Sequence, residues 1–266
     1  MDGTLGIVGG GRMGEALLAG MLEAGTVTPG QVTVSDAVQA RVDELARALG
    51  ITGTTANREA LGADVVILAV KPQVLPAVLE TDGDAVRDEA LVVSIAAGTS
   101  TATIDHLLPG APAIVRVMPN TPALVGQGAS GVAPGPRATS DHLDVVEELL
   151  APTGIVRRVG EASLDAVTGV SGSGPAYVFL LAEALAEAGV LQGLSRADAV
   201  ALANQTIAGA GALLTADRGS ATELREAVTS PGGTTAAALQ VLERSGLRGA
   251  VDRRCHGVED RARELG

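Results

Sequence analysis

Residues 229–235 read Thr-Ser-Pro-Gly-Gly-Thr-Thr and run directly into Ala-Ala-Ala-Leu-Gln-Val-Leu. A polar turn with two glycines therefore opens a helix. The first backbone N–H groups of a helix have no partner inside it and lie at the positive end of its dipole. Glycines let a ligand approach the main chain closely. Ser230, Gly232, Gly233, Thr234 and Thr235 can thus receive a small anion such as a carboxylate. The plainer alternative is an N-cap at Ser230, with Pro231 at the first helical position. A second Ser/Gly/Pro run, at 170–177, also precedes a helical pattern, and two such turns in one region are harder to read as two caps.

A second constellation lies near the N-terminus. Gly9-Gly10-Gly11-Arg12-Met13-Gly14 follows a short apolar run, Leu5-Gly6-Ile7-Val8, and precedes helical spacing at Met13, Leu17, Leu18, Met21 and Leu22. The pattern G-x-G-x-x-G between a strand and a helix is the fingerprint of a dinucleotide site. Its glycines permit a tight turn and close passage of a pyrophosphate over the helix start. Asp36, after the second strand, is placed to accept hydrogen bonds from adenosine ribose hydroxyls, which favours NAD. A 2′-phosphate there needs basic groups or hydroxyls to offset Asp36. Ser35 and Arg41 are near, but the preferred reading of Arg41 is a solvated helix-surface residue.

The elements that position these groups alternate between strand and helix up to about residue 160. Strands are expected at 5–8, 31–35, 65–70, 91–95 and 113–117, with helices over 12–24 and 38–49. The run at 65–70 is apolar on both faces, as in the middle of a parallel sheet. The fold class is α/β: a doubly wound Rossmann-type parallel sheet over residues 1–160, followed by an all-α domain over 161–266. In the second part Tyr177, Leu180, Leu181, Ala184, Leu185 and Ala188 mark one helix face, and further helices are expected at 195–216, 219–228, 234–245 and 247–265. A helical domain so rich in Ala and Gly has trouble closing its own core, so dimerisation through it is expected.

Composition excludes several classes. The chain of 266 residues is 46% hydrophobic, enough for a sizeable core. Its net charge is −12 and its only aromatics are Tyr177 and Phe179, which speaks against nucleic-acid and anionic-membrane partners. No apolar run approaches the ~20 residues of a membrane span, and no secretory leader pattern begins the chain. Cys255 is the only cysteine, so no intrachain disulfide forms, in keeping with a cytoplasmic setting. His106, His142 and His256 fall in no metal-binding spacing, and no metal is expected. Lys71, the only lysine, precedes Pro72 at a strand end; cofactor proximity and a plain surface position are equally good readings of it.

Together these residues resemble pyrroline-5-carboxylate reductase, along essentially the whole chain. The resemblance rests on the run 9–14, Ala69-Val70-Lys71-Pro72, Val93-Ser94-Ile95-Ala96-Ala97-Gly98, Met118-Pro119-Asn120-Thr121-Pro122, the run 170–177 and Ser230-Pro231-Gly232-Gly233-Thr234-Thr235. It implies reduction of 1-pyrroline-5-carboxylate to L-proline by hydride from NAD(P)H, the last step of proline biosynthesis. It further implies that Gly9, Gly11, Arg12, Met13, Gly14, Ser35, Asp36, Asn57, Ala69, Val70, Lys71, Pro72, Ala97 and Asn120 line the cofactor. Ser35 and Asn57 would meet the adenosine end, and Asn120 would lie near the nicotinamide. The 230–235 turn would hold the substrate carboxylate, with Thr235 facing the ring nitrogen. Relatives often carry neutral or basic residues after the serine, so Asp36 is a departure; NADPH is the expected cofactor, with NADH left open. The resemblance also implies a homodimer through the helical domain, assembled in some members into a decamer of five dimers.

Two other readings stand beside this one. A 3-hydroxyacid dehydrogenase shares the two-domain plan but uses a lysine on the helical domain, and no lysine follows residue 71. A non-catalytic dinucleotide sensor would need no carboxylate turn.

Overall fold

The computed structural model describes residues 3–216 and 218–252. The helix expected over 247–265 is seen only as far as residue 252, and Cys255 and His256 lie outside the described residues. The chain divides into two compact units, at Ser173 and Gly174.

The first unit is built on one eight-stranded sheet: β1 (Leu5–Val8), β2 (Val32–Ser35), β3 (Thr52–Thr54), β4 (Val65–Leu68), β5 (Leu91–Ser94), β6 (Ala113–Met118), β7 (Gly128–Pro134) and β8 (Gly154–Arg158). Their order across the sheet is β3-β2-β1-β4-β5-β6-β7-β8. All neighbours are parallel except β6 and β7, which pair antiparallel after the short 3-10 turn Thr121–Val125. The connecting helices are α1 (Arg12–Glu23), α2 (Gln39–Leu49), α3 (Asn57–Leu61), α4 (Leu75–Asp82), α5 (Thr101–Leu107), α6 (Ser140–Leu150) and α7 (Leu164–Val167). Two apolar clusters sandwich the sheet. Leu5, Ile7, Leu17, Leu18, Met21 and Ile67 belong to one, and Val8, Val66, Leu68, Leu75 and Ile104 to the other. The central strands are apolar on both faces because both faces are covered.

Three strands were not foreseen, and small residues explain two of them, β3 and β7. A Cβ on Gly53 of β3 would meet Val42 Cγ1 of α2 at 2.6 Å. One on Gly131 of β7 would meet Val167 of α7 at 2.9 Å. Helices press on these strands so closely that the β-branched residues that usually mark a strand cannot fit.

The second unit comprises α8 (Gly174–Leu191), α9 (Arg196–Thr215), α10 (Ala221–Ala227) and α11 (Thr234–Arg244). Helices α8 and α9 meet on a seam of small side chains, Ala186, Ala199 and Ala203, and a Cβ on Gly189 would meet Ala199 Cβ at 3.2 Å. Leu180, Leu181 and Leu185, the apolar face expected from the sequence, stay exposed, as does Phe179. The run at 170–177 is not a turn feeding a helix. Residues Thr168–Gly172 form a π-helical turn directly after α7, and α8 begins at Gly174, with Pro175 tolerated in its first turn. As a result the stretch Glu161–Leu191 is long and apolar enough to cross a membrane by length and composition, which the interrupted sequence pattern did not suggest. The same composition suits a helix that packs on other helices.

Polar anchors fix the first unit. Glu161 accepts from Thr101 N and Thr101 Oγ1, each at 2.7 Å, and lies 3.6 Å from the buried Arg116 of β6. Before β1, Asp64 accepts from Thr4 N and Thr4 Oγ1 at 2.7 Å and from Arg87 Nη2 at 2.7 Å. The Thr4 amide above all, then its hydroxyl and Arg87, hold the Asp64 carboxyl down at about 2. A depressed carboxyl stabilises the fold above its unfolded value of ~3.9, and that contribution fades as pH falls toward the folded value. Asp64→Asn should therefore lower the melting temperature at pH 7, and the gap to the parent should narrow between pH 4 and pH 2.5, as followed by circular dichroism.

Candidate active site

The sheet order reverses between β1 and β4, and such a switch point opens a crevice at the carboxyl ends of the strands. The fingerprint loop sits there, and each of its glycines has a separate task. Gly9 has φ of +108°, and a Cβ on it would strike the Ala69 carbonyl carbon at 2.8 Å. Gly14 lets α1 settle against β1, since a Cβ there would come within 2.5 Å of Gly9 O. Around Gly11 nothing lies within 4 Å of the Cβ position, so this side of the loop is open. Gly11 is also the N-cap of α1 and lends it no side-chain cap. The helix start faces open space, and its first N–H groups have no partner among the described residues.

A pocket of about 330 Å³ continues from the loop. Met13 comes from α1; Ala69, Val70, Lys71 and Pro72 follow β4; Ile95, Ala96 and Ala97 follow β5; Met118, Pro119, Asn120 and Thr121 follow β6. Gly172 of the π-helical turn closes one side, and a Cβ on it would meet Met118 Cε at 2.5 Å. Seven of the residues expected at a cofactor are thus brought to one pocket: Met13, Ala69, Val70, Lys71, Pro72, Ala97 and Asn120. Ile95, Ala96, Met118, Pro119, Thr121 and Gly172 line it too. All six lie in the quoted motifs, yet an apolar or small lining residue carries no chemical signal of its own.

The other expected residues lie around the loop. Ser35 ends β2 and is fully buried; its carbonyl accepts from Gly9 N at 2.8 Å and its Oγ has no partner among the described residues. Asn57 begins α3 and is half-buried. Arg12, the first residue of α1, is exposed. Asp36 is engaged by the main chain: Oδ2 accepts from Gly10 N and Oδ1 from Val38 N, both at 2.9 Å. Each oxygen keeps lone-pair capacity for a further donor. Arg41 is not the solvated surface residue the sequence suggested. Its Nε donates to Gly10 O at 2.6 Å, its Nη2 meets Glu15 at 2.5 Å and its Nη1 meets Glu44 at 2.9 Å. Glu15, then Glu44, raise its pKa further above the ordinary arginine value.

Asn120 has a double structural task. Its Oδ1 accepts from Ala129 N at 2.8 Å and its Nδ2 donates to Ser171 O at 3.0 Å. One partner is a donor and the other an acceptor, so the amide orientation is fixed. The side chain ties the end of β6 to β7 and to the π-helical turn.

In the helical unit, residues 230–235 depart from the N-cap alternative. Gly233 N donates to Ser230 O at 3.0 Å, and Gly232 has φ of +68°, which with Pro231 before it makes a type II turn. The cap of α11 is Gly233, not Ser230, and no side chain caps the helix. The N–H groups of Thr234, Thr235 and Ala236 have no partner among the described residues.

A fingerprint loop at the switch point, an open helix start and a pocket across the ends of β4, β5 and β6 define a dinucleotide-dependent oxidoreductase. Residues 4–98 match the family model described as NADP oxidoreductase coenzyme F420-dependent, and residues 161–265 match that of pyrroline-5-carboxylate reductase dimerisation. The chain is 41% identical to pyrroline-5-carboxylate reductase of Methanosarcina acetivorans over 98% of its length and 97% of the relative's. It superposes on a pyrroline-5-carboxylate reductase from Coxiella burnetii with a TM-score of 0.93 and 36% identity, covering 100% of this chain and 99% of the other. The Plasmodium falciparum pyrroline carboxylate reductase with NADP bound gives 0.88 and 28%, over 100% and 98%. The chain belongs to the pyrroline-5-carboxylate reductase family.

Removing the Asn120 amide leaves a buried donor and acceptor unpaired, each at a cost of about 1–3 kcal/mol. Asn120→Ala should lose at least about 2 kcal/mol of stability in urea denaturation. A smaller loss would mean that water replaces the amide.

Proposed function

We propose that this chain reduces 1-pyrroline-5-carboxylate to L-proline with NAD(P)H, and that residues 1–160 hold the cofactor while 161–266 bind substrate and dimerise. The observation that carries this reading is the pocket that collects Met13, residues 69–72, Ala97 and Asn120 at the switch point. Family membership supplies the substrate class. The lower boundary of the second part is supported by the start of the dimerisation match at residue 161. The compact units divide slightly later, at Ser173.

The residues present fit a dinucleotide. Gly11 leaves a cradle that any Cβ would fill, the N–H groups at the start of α1 face it, and the buried Ser35 hydroxyl lacks a partner. Gly9, Gly11, Arg12 and Gly14 would hold the pyrophosphate, and Ser35, Asp36 and Asn57 the adenosine end. Met13, Ala69, Val70, Lys71, Pro72, Ala97 and Asn120 would enclose the nicotinamide. When bound, the reduced nicotinamide supplies hydride to the imine carbon. NADPH is the proposed cofactor. The acidic Asp36 keeps NADH as a second candidate.

The helical unit supplies the rest of the chemistry. Because Gly233 N is spent on the turn, the carboxylate anchor falls to the N–H groups of Thr234, Thr235 and Ala236, with Ser230, Gly232 and Gly233 shaping the approach. The Thr235 hydroxyl faces the ring nitrogen, donating to it as the neutral imine or accepting from its N–H as the iminium. A neutral threonine is a poor general acid, so the net proton is carried by the iminium or by water, and orientation provides much of the rate. Exposed Phe179, Leu180, Leu181 and Leu185 support a homodimer built through this unit, and five such dimers would make a decamer. We place the enzyme in the cytoplasm, where NADPH is available.

Purified protein mixed with pyrroline-5-carboxylate and NADPH, or NADH, should consume the reduced nicotinamide, as read by absorbance. No oxidation with either would overturn the assignment, and the ratio of the two rates measures cofactor choice. Thr235→Ala should lower kcat at least about tenfold with little change in cofactor KM, and Thr235→Ser should recover most of the loss. An unchanged kcat would remove Thr235 from the mechanism.

A further inference from the structure

The middle residue of the fingerprint, Gly10, is gripped on both sides of its backbone. Its N–H donates to Asp36 Oδ2 at 2.9 Å, and its carbonyl accepts from Arg41 Nε at 2.6 Å. A Cβ on Gly10 would meet the tip of the Leu45 side chain of α2, Cδ1 at 2.8 Å, so the loop lies close on that helix. The loop is thus seated on the start of α2 by two side chains of opposite charge. The carbonyl of Gly10 and the N–H of Gly11 belong to one planar trans peptide, so they point in opposite directions. Whatever fixes the carbonyl therefore aims the N–H.

Gly11 N–H has no partner among the described residues and borders the space left open beside Gly11. The far side of the same peptide is held by a guanidinium. Arg41 is in turn held by Glu15 at 2.5 Å and Glu44 at 2.9 Å, and it is only 22% exposed. Glu15 N also makes the first bond of α1, to Gly11 O at 2.9 Å. One salt bridge therefore connects the aim of the Gly11 N–H to the first turn of the helix behind it. A cation on the carbonyl also polarises the peptide and strengthens its N–H as a donor.

We infer that Arg41 is a positioning residue for the cofactor's pyrophosphate: acting through the Gly10 carbonyl, it orients and strengthens the Gly11 N–H. This rests on the dinucleotide reading of the loop. The effect of Arg41 runs through the Gly10–Gly11 peptide. Its three nitrogens each have a partner, in Gly10 O, Glu15 and Glu44; two N–H groups remain, and the two carboxylates beside them disfavour a 2′-phosphate. The pyrophosphate is common to NADPH and NADH, so the effect of Arg41 is common to both.

Calorimetric titration of the whole protein with NADPH and with NADH tests this without turnover. Arg41→Ala should weaken both by a similar factor, about tenfold, and leave their ratio unchanged. In the assay, cofactor KM should rise more than kcat falls, and KM for pyrroline-5-carboxylate should stay put. Arg41→Lys keeps charge but not the fork of donors, and should fall between. If Arg41→Ala is too unstable to titrate, Glu15→Gln loosens Arg41 from one side and should weaken both cofactors by about threefold. Unaltered affinity in the variant titrated, or a loss confined to NADPH, would overturn the inference. Failure of the parent protein to bind either cofactor would instead sink the dinucleotide reading.

Discussion

Helix α1 can begin where it does only because backbone meets backbone without side chains between them. Gly9 passes against the Ala69 carbonyl, Gly14 lies against Gly9 O, and Gly6 of β1 passes so close to Ala60 that a Cβ would fall 1.8 Å from its carbonyl oxygen. Each contact places a helix nearer the sheet than any larger residue allows. The crevice at the switch point has its depth because of them. Everything that converges there, from the ends of β4, β5 and β6, is positioned relative to a loop that only glycine can form.

Close packing of this kind also governs what the sequence revealed. Strands β1, β2, β4, β5 and β6 were legible because they are central, buried on both faces and rich in Val, Ile and Leu. Strands β3, β7 and β8 were not. Gly53 and Gly131 replace the strand-forming residues where α2 and α7 press on the sheet. Helices α8 to α11 were read to within two residues of their bounds, and the helix expected over 247–265 runs beyond the described residues. The π-helical turn at 168–172 was missed because Ser, Gly and Pro mark a turn and an irregular helix equally well.

The same division applies to the site. Residues that act through type and spacing, such as the fingerprint glycines and the motif after β4, could be found without a structure. Arg41 and Asn120 act through partners distant in sequence: Arg41 through Gly10 and Glu15, Asn120 through Ala129 and Ser171. Helical spacing showed Arg41 only as a polar position on α2. That its guanidinium folds back over the loop depends on the seating of α2 against β1 and β2, which is a tertiary fact. Asp36 shows the limit from the other side. Its type and place suggested a ribose contact, and the structure shows that its first obligation is to Gly10 N and Val38 N.

The two units differ in how their polar and apolar groups are spent. In the first, buried polar groups are mostly paired: Arg116 lies beside Glu161, and Asn120 bonds two backbone partners. Against that background the Ser35 hydroxyl is conspicuous, because it is fully buried and has no partner among the described residues, a cost that the groups just named avoid. In the second unit the imbalance is larger. The start of α11 carries no cap, and Phe179, Leu180, Leu181, Leu185 and Leu191 face outward. An apolar face of that extent is stable only when covered, and a bare helix start only when something anionic or aqueous meets it. The match of residues 161–265 to the pyrroline-5-carboxylate reductase dimerisation model accounts for the apolar surface, since a second chain is what covers such a face.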